Sequence, residues 1–161
     1  MLGKLFTDIE FVCGAAGLAA ALTRLPEPRP SWRYLFDYNA TFTAPCDLQW
    51  PAEYGVPHTA ELSFFWGQIV YPFGAPDQLC QFTKAEASFA GQIGGVLSRF
   101  AAGATPRVPG LAWPTNLADE LVLAGPATVG GAPVSQFFRV QPTSRATECG
   151  MWLDIWRQRP G

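Results

Sequence analysis

The sequence predicts an α/β protein, and three observations carry that reading. Near the start a helix-forming stretch is followed by a short proline-rich connection and then an aromatic, strand-like run. In the middle stands a strong helical signal with its own cap, and near the end two short strand-like runs precede a last amphipathic stretch. Helices and strands that alternate in this way belong to α/β architectures.

From about Asp8 to Arg24 the composition favours helix, and the apolar run FVCGAAGLAAAL, Phe11 to Leu22, is expected to be a buried, alanine-rich one. It is not read as a targeting signal. Lys4 precedes it, but Asp8 and Glu10 interrupt the approach and no small-residue cleavage site follows before Arg24. The run is also too short to span a bilayer. LPEPRP, Leu25 to Pro30, ends the helix, because each proline lacks an amide hydrogen and restrains the residue before it. SWRYLFDY, Ser31 to Tyr38, then has the length and composition of a buried strand. Residues 39 to 58 are irregular, punctuated by Pro45, Pro51, Gly55 and Pro57.

The clearest helix begins at Thr83. In TKAE the Thr83 hydroxyl is placed to cap the amide of Glu86 while the Glu86 carboxylate reaches back, a capping box. Phe89, Ile93, Val96, Leu97 and Phe100 follow at three- and four-residue spacing and predict one inward apolar face. Gly91, Gly94 and Gly95 each weaken such a helix by about 1 kcal/mol relative to alanine, so tertiary contacts must hold it. LVLAG, Leu121 to Gly125, and VSQFFRV, Val134 to Val140, read as short strands. A final helix over roughly Ala146 to Gln158 carries Cys149, Trp152, Leu153 and Trp156 on one side. No internal repeat and no interior linker interrupts the chain, so residues 1–161 are expected to form one domain portion.

With 161 residues, 48% of them hydrophobic and 14% aromatic, the chain has enough apolar surface for a core. Only 15% are charged, while 15 prolines and 16 glycines imply many fixed turns. Few charges beside many aromatics point to apolar surface that another body covers. A net charge of -2 with scattered basic residues offers no stripe for phosphates, which excludes nucleic acid as a partner.

The four cysteines, Cys13, Cys46, Cys80 and Cys149, include no C-x-x-C, which excludes a zinc ribbon or a thioredoxin-like motif. Two disulfides in an oxidising compartment and four buried thiols both fit this spacing. Asn39-Ala40-Thr41 is a sequon, making Asn39 a glycosylation candidate. His58 is the only histidine. One histidine among dispersed cysteines does not supply a zinc ligand set, so no metal is expected. A lone histidine beside aromatics is, by default, a hydrogen-bonded structural residue, and only its local pattern can give it another role.

That pattern is YGVPHTAELSFFWG, Tyr54 to Gly67, and it resembles the histidine segment of the type-B carboxylesterase and cholinesterase family of α/β-hydrolases. YLFDYNATF, Tyr34 to Phe42, is similar to the strand before that segment. FTKAEASFAGQIGGVLSRFAAGATP, Phe82 to Pro106, is similar to the family's long helix and the turn after it. LAWPTN, LVLAG and ECGMWLDIW follow in the family's order, so the resemblance runs from about Phe11 to Trp156. It implies that His58 is the triad histidine, taking a proton from a serine hydroxyl and passing it to a leaving alcohol. Glu61 matches the acidic residue that supports the local hydrogen-bond network, and a solvated loop carboxylate is the alternative. Thr59 departs from the family, in which glycine is common at that place. The resemblance also implies a Cys13–Cys149 disulfide between the first and last helices. Cys46 and Cys80 have no such counterpart; by elimination they are expected to be the second pair, and such a bridge, closing a loop of about 35 residues around His58, would add about 3 to 4 kcal/mol of stability.

The family's serine sits on a G-x-S-x-G elbow, and Ser31, Ser63, Ser88, Ser98, Ser135 and Ser144 all lack those glycines. The oxyanion-hole segment and the catalytic acid also have no match. The expectation is therefore an incomplete α/β-hydrolase fold, holding the C-terminal strands and helices without the nucleophile-elbow half. On this reading the chain is the C-terminal portion of a secreted carboxylic ester hydrolase, and its partners are an ester substrate and the missing N-terminal hydrolase portion. No cofactor and no membrane span are expected. A non-catalytic remnant or adhesion domain of cholinesterase-like fold is the alternative.

Overall fold

A computed structural model describes residues 7–41, 55–56, 58–69, 80–103, 105–115, 117–129, 132–134 and 137–158. A π-helical turn, Asp8–Val12, runs directly into α1 (Cys13–Leu22). After the proline connection come β1 (Tyr34–Phe36), α2 (Leu62–Trp66), α3 (Lys84–Ala101), β2 (Asp119–Leu123), β3 (Ala127–Val129), β4 (Ala132–Val134), β5 (Phe138–Pro142) and α4 (Ala146–Arg157). The chain is thus of the mixed α/β class expected from the sequence.

β1, β2 and β5 form a three-stranded sheet with β2 in the centre, and β3 and β4 form a separate antiparallel hairpin that pairs Ala127 with Val134 and Val129 with Ala132. The Ala124 amide donates to Phe137 O (2.9 Å) and the Thr143 amide to Ala118 O (2.7 Å), the crossed register of antiparallel pairing between β2 and β5. Central placement explains the composition of β2. Glu120, Leu121, Val122 and Leu123 are all buried, whereas edge strand β1 leaves Tyr34 exposed.

By their internal contacts the residues fall into two compact units, neither of them contiguous. Unit 1 consists of Met1–Leu35, Trp113–Leu121 and Val140–Gly161. In it α1 and α4 are joined by the Cys13–Cys149 disulfide, with Cα atoms 4.9 Å apart. Beside the bridge Arg145, which takes a left-handed conformation at the N-cap of α4, clamps the buried carboxylate of Asp8 with two N–H donors. A side chain at Gly17 would stand 2.9 Å from Leu153 Cδ2, so glycine permits the close approach of the two helices. Elsewhere in this unit Arg33 donates to Leu117 O and to the Thr143 hydroxyl, and its own carbonyl accepts from Trp113 Nε1 at 2.8 Å.

Unit 2 consists of Phe36–Ala112 and Val122–Arg139. Its core is aromatic. Phe64, on α2, has ring centroids 5.2–5.6 Å from those of Phe36, Tyr38, Phe82 and Phe89. Phe89, on α3, extends the cluster to Phe137 and Phe138. Phe64 and Phe89 are completely buried, and each aromatic pair of this kind contributes about 1 kcal/mol beyond the area it buries. Gly125 has φ of +66°, and a Cβ there would sit 2.2 Å from Tyr38 Cγ, so the turn after β2 passes against the ring only because glycine is present.

Four sequence expectations change here. The alanine-rich helix forms, but it is not buried: only Cys13 and Ala19 are, while Leu18 is 64% exposed, because an alanine face of small area takes little cover. Phe100 is on the predicted face of α3 yet is half exposed, standing about 16 Å along the axis from Phe89 and beyond the aromatic cluster. Only Tyr34–Phe36 of the predicted Ser31–Tyr38 strand pairs as one. The expected strand Val134–Val140 is two, since β4 ends at Val134 and β5 begins at Phe138. An apolar run carries no mark of where the backbone changes partner.

Candidate functional site

His58 opens a turn that delivers the chain into α2. Thr59 has φ of +72°, the left-handed region that β-branched residues disfavour, and its hydroxyl donates to the His58 carbonyl. The Leu62 amide then donates to Thr59 O at 3.1 Å, and the Glu61 carbonyl accepts from the amides of Phe64 and Phe65, each at 3.0 Å. Glu61 is thereby the residue that starts α2, and Gly67, with φ of +65°, ends it. The hydrophobic anchor of this short helix is Phe64, buried in the aromatic cluster, with Ser63 buried beside it. Five residues cannot hold a helix by propensity, so the position of the turn depends on that anchor.

His58 is exposed and Glu61 is half-buried, and the two predicted site residues stand three apart on one turn. The left-handed Thr59 gives a physical account of why glycine suits that place: glycine adopts positive φ freely, whereas threonine there stores strain of about 1 kcal/mol or more.

The residue that sequence reasoning undervalued is Glu86. The expected capping box is present, with the Glu86 amide donating to the Thr83 hydroxyl and the Thr83 amide to Glu86 Oε2 at 2.9 Å. The carboxylate, however, is wholly buried and accepts three further hydrogen bonds at Oε1: from the Tyr38 hydroxyl at 2.9 Å, the Thr41 amide at 2.8 Å and the Thr41 hydroxyl at 3.3 Å. Burial pushes the acid up, but the amides of Thr83 and Thr41, with the hydroxyls of Thr83 and Tyr38, outweigh burial and hold it below its ordinary value. Burial pushes the Tyr38 phenol well up, and the nearby Glu86 charge adds to the effect. Nothing in the local pattern marks a partner 48 residues away.

The remaining predicted positions fall as follows. Cys13 and Cys149 form the disulfide that the resemblance implies. Cys80 is disulfide-bonded, and Cys46 lies outside the described residues. Asn39 is half-buried just after β1, and the Thr41 of its sequon is one of the Glu86 donors. Among the described residues no cluster of His, Cys, Asp and Glu could hold a metal ion, and no helix is long and apolar enough to cross a membrane.

No protein-family model matches the sequence, and no curated protein matches it.

Proposed function

We propose that this chain is the C-terminal portion of a carboxylic ester hydrolase similar to the type-B carboxylesterases and cholinesterases. His58 serves as the base of a serine triad whose serine, acid and oxyanion hole lie outside this chain. In that role the imbalance of charge is brief: His58 accepts the serine proton as the hydroxyl attacks the ester carbonyl, then returns it to the departing alcohol. Glu61 steadies the turn on which the imidazole sits. The parent is a secreted glycoprotein carrying its carbohydrate at Asn39, a setting in which the Cys13–Cys149 disulfide is stable.

The observation that supports the reading most is the exposed His58 at the head of a turn whose third residue on is Glu61 and whose helix is pinned by Phe64. A histidine serving only as core filler has no need of exposure, and a loop histidine without a task has no need of a strained Thr59 next to it.

Co-expression with a hydrolase portion carrying a G-x-S-x-G elbow, assayed on p-nitrophenyl acetate, tests the proposal. The assembled protein is expected to hydrolyse the ester, and His58→Ala to lower kcat by about 10⁴-fold or more. Turnover that survives His58→Ala overturns the assignment, and a well-folded assembly with no turnover favours the adhesion or binding reading.

A further inference from the structure

We propose that Glu86 is the positioning residue of the His58 segment: a single carboxylate that ties the stretch entering the segment, at Tyr38 and Thr41, to the stretch leaving it, at Thr83. The division of its oxygens carries the inference. Among the described residues Oε1 accepts three hydrogen bonds from the entering side, and Oε2 accepts from the Thr83 amide on the leaving side. A capping box uses Oε2 alone, so the three bonds to Oε1 are not explained by the start of a helix.

Between these two stems lie roughly 40 residues that include His58, Glu61 and α2, and closing a loop of that length costs entropy that the carboxylate bonds offset. Tyr38 carries the restraint further. Its hydroxyl is on Glu86 while its ring meets Phe64 and Phe89 edge-on at 5.6 and 5.8 Å, so the same side chain that reports to the carboxylate also packs on the anchor of α2. Gly125 leaves the space that this ring occupies. The requirement for a carboxylate follows from hydrogen-bond chemistry: among the described residues four donors reach it, from both stems, so both oxygens must accept. A glutamine of the same shape keeps one accepting oxygen and turns an NH2 group toward donors, and can therefore serve one stem but not both. The inference goes beyond the ester reading and does not rest on it.

Amide hydrogen exchange of the full chain at low micromolar concentration and neutral pH tests it, comparing Glu86→Gln with the unsubstituted protein. Exchange over His58–Ile69 is expected to rise about tenfold or more, while Ile93–Leu97 in α3 stays within about threefold. Tyr38→Phe, which removes one donor and keeps the ring, should give the same pattern at smaller amplitude, and it decides the matter if the glutamine variant does not fold. Equal acceleration in both regions, or none in either, overturns the proposal. Since the readout is exchange and not turnover, its failure is distinct from failure of the ester assignment.

Discussion

Glu86 and Tyr38 are joined by a buried hydrogen bond in unit 2, and acid and alkali act on them in opposite senses. The folded state holds the Glu86 carboxyl below its ordinary value, so on acidification the unfolded chain binds the proton first. Its contribution is therefore complete above the unfolded carboxyl value of about 4.5 and is lost as the pH falls through the lower folded value. The raised Tyr38 phenol behaves the other way, and its contribution is lost above the ordinary phenol range near pH 10. The urea midpoint is expected to be flat from about pH 6 to 8 and to fall steeply below about pH 4.5, the drop being markedly shallower in Glu86→Gln. An equally steep acid limb in that variant would show that Glu86 does not control acid unfolding.

At the scale of the element, α1 is the dependent one. Gly14 and Gly17 lower its propensity, only two of its residues are buried, and it is held through Cys13 to Cys149 and through the preceding Asp8 to Arg145. The bridge joins residues 136 apart, so removing it releases about 5 kcal/mol of chain entropy to the unfolded state. Reduction, or the double substitution of Cys13 and Cys149 by alanine, is expected to lower the guanidinium midpoint accordingly and to remove helical signal from α1 before α3. The elements legible in the sequence were those whose cause is local. The Thr83–Glu86 box and the Phe89, Ile93, Val96 face are complete within one helix, and they stand as read. Exposure of Leu18 and Phe100 was not legible, because spacing says which face an apolar residue is on and not whether anything lies over it. The Cys13–Cys149 pairing needed the resemblance, and the Tyr38–Glu86 bond, joining a strand end to a helix start, had no sequence signal at all.

At the scale of the whole molecule, several large apolar side chains stand exposed among the described residues. Trp66 is 71% exposed, Leu18 64%, Met151 52% and Phe100 50%. The isolated chain is expected to self-associate at tens of micromolar, with a weight-average mass in sedimentation above 17.5 kDa. Replacing Trp66, Leu18 and Met151 together by glutamine should return it toward the monomer while changing the unfolding free energy by only about 1 kcal/mol, since these side chains bury little. A monomer before substitution would show that the exposed side chains do not meet productively.

The interleaving of the two units also sets an order of events during synthesis. Unit 2 has its first stretch in hand once Ala112 has emerged, but unit 1 needs Val140–Gly161, which follows every residue of unit 2. At cellular elongation rates Cys13 waits roughly 7 to 27 s for Cys149, and Cys46 and Cys80 emerge before it does. Productive maturation thus calls on thiol–disulfide exchange to undo early mispairing, and the yield of correctly bridged protein should depend on a disulfide isomerase more than on any property of the finished fold.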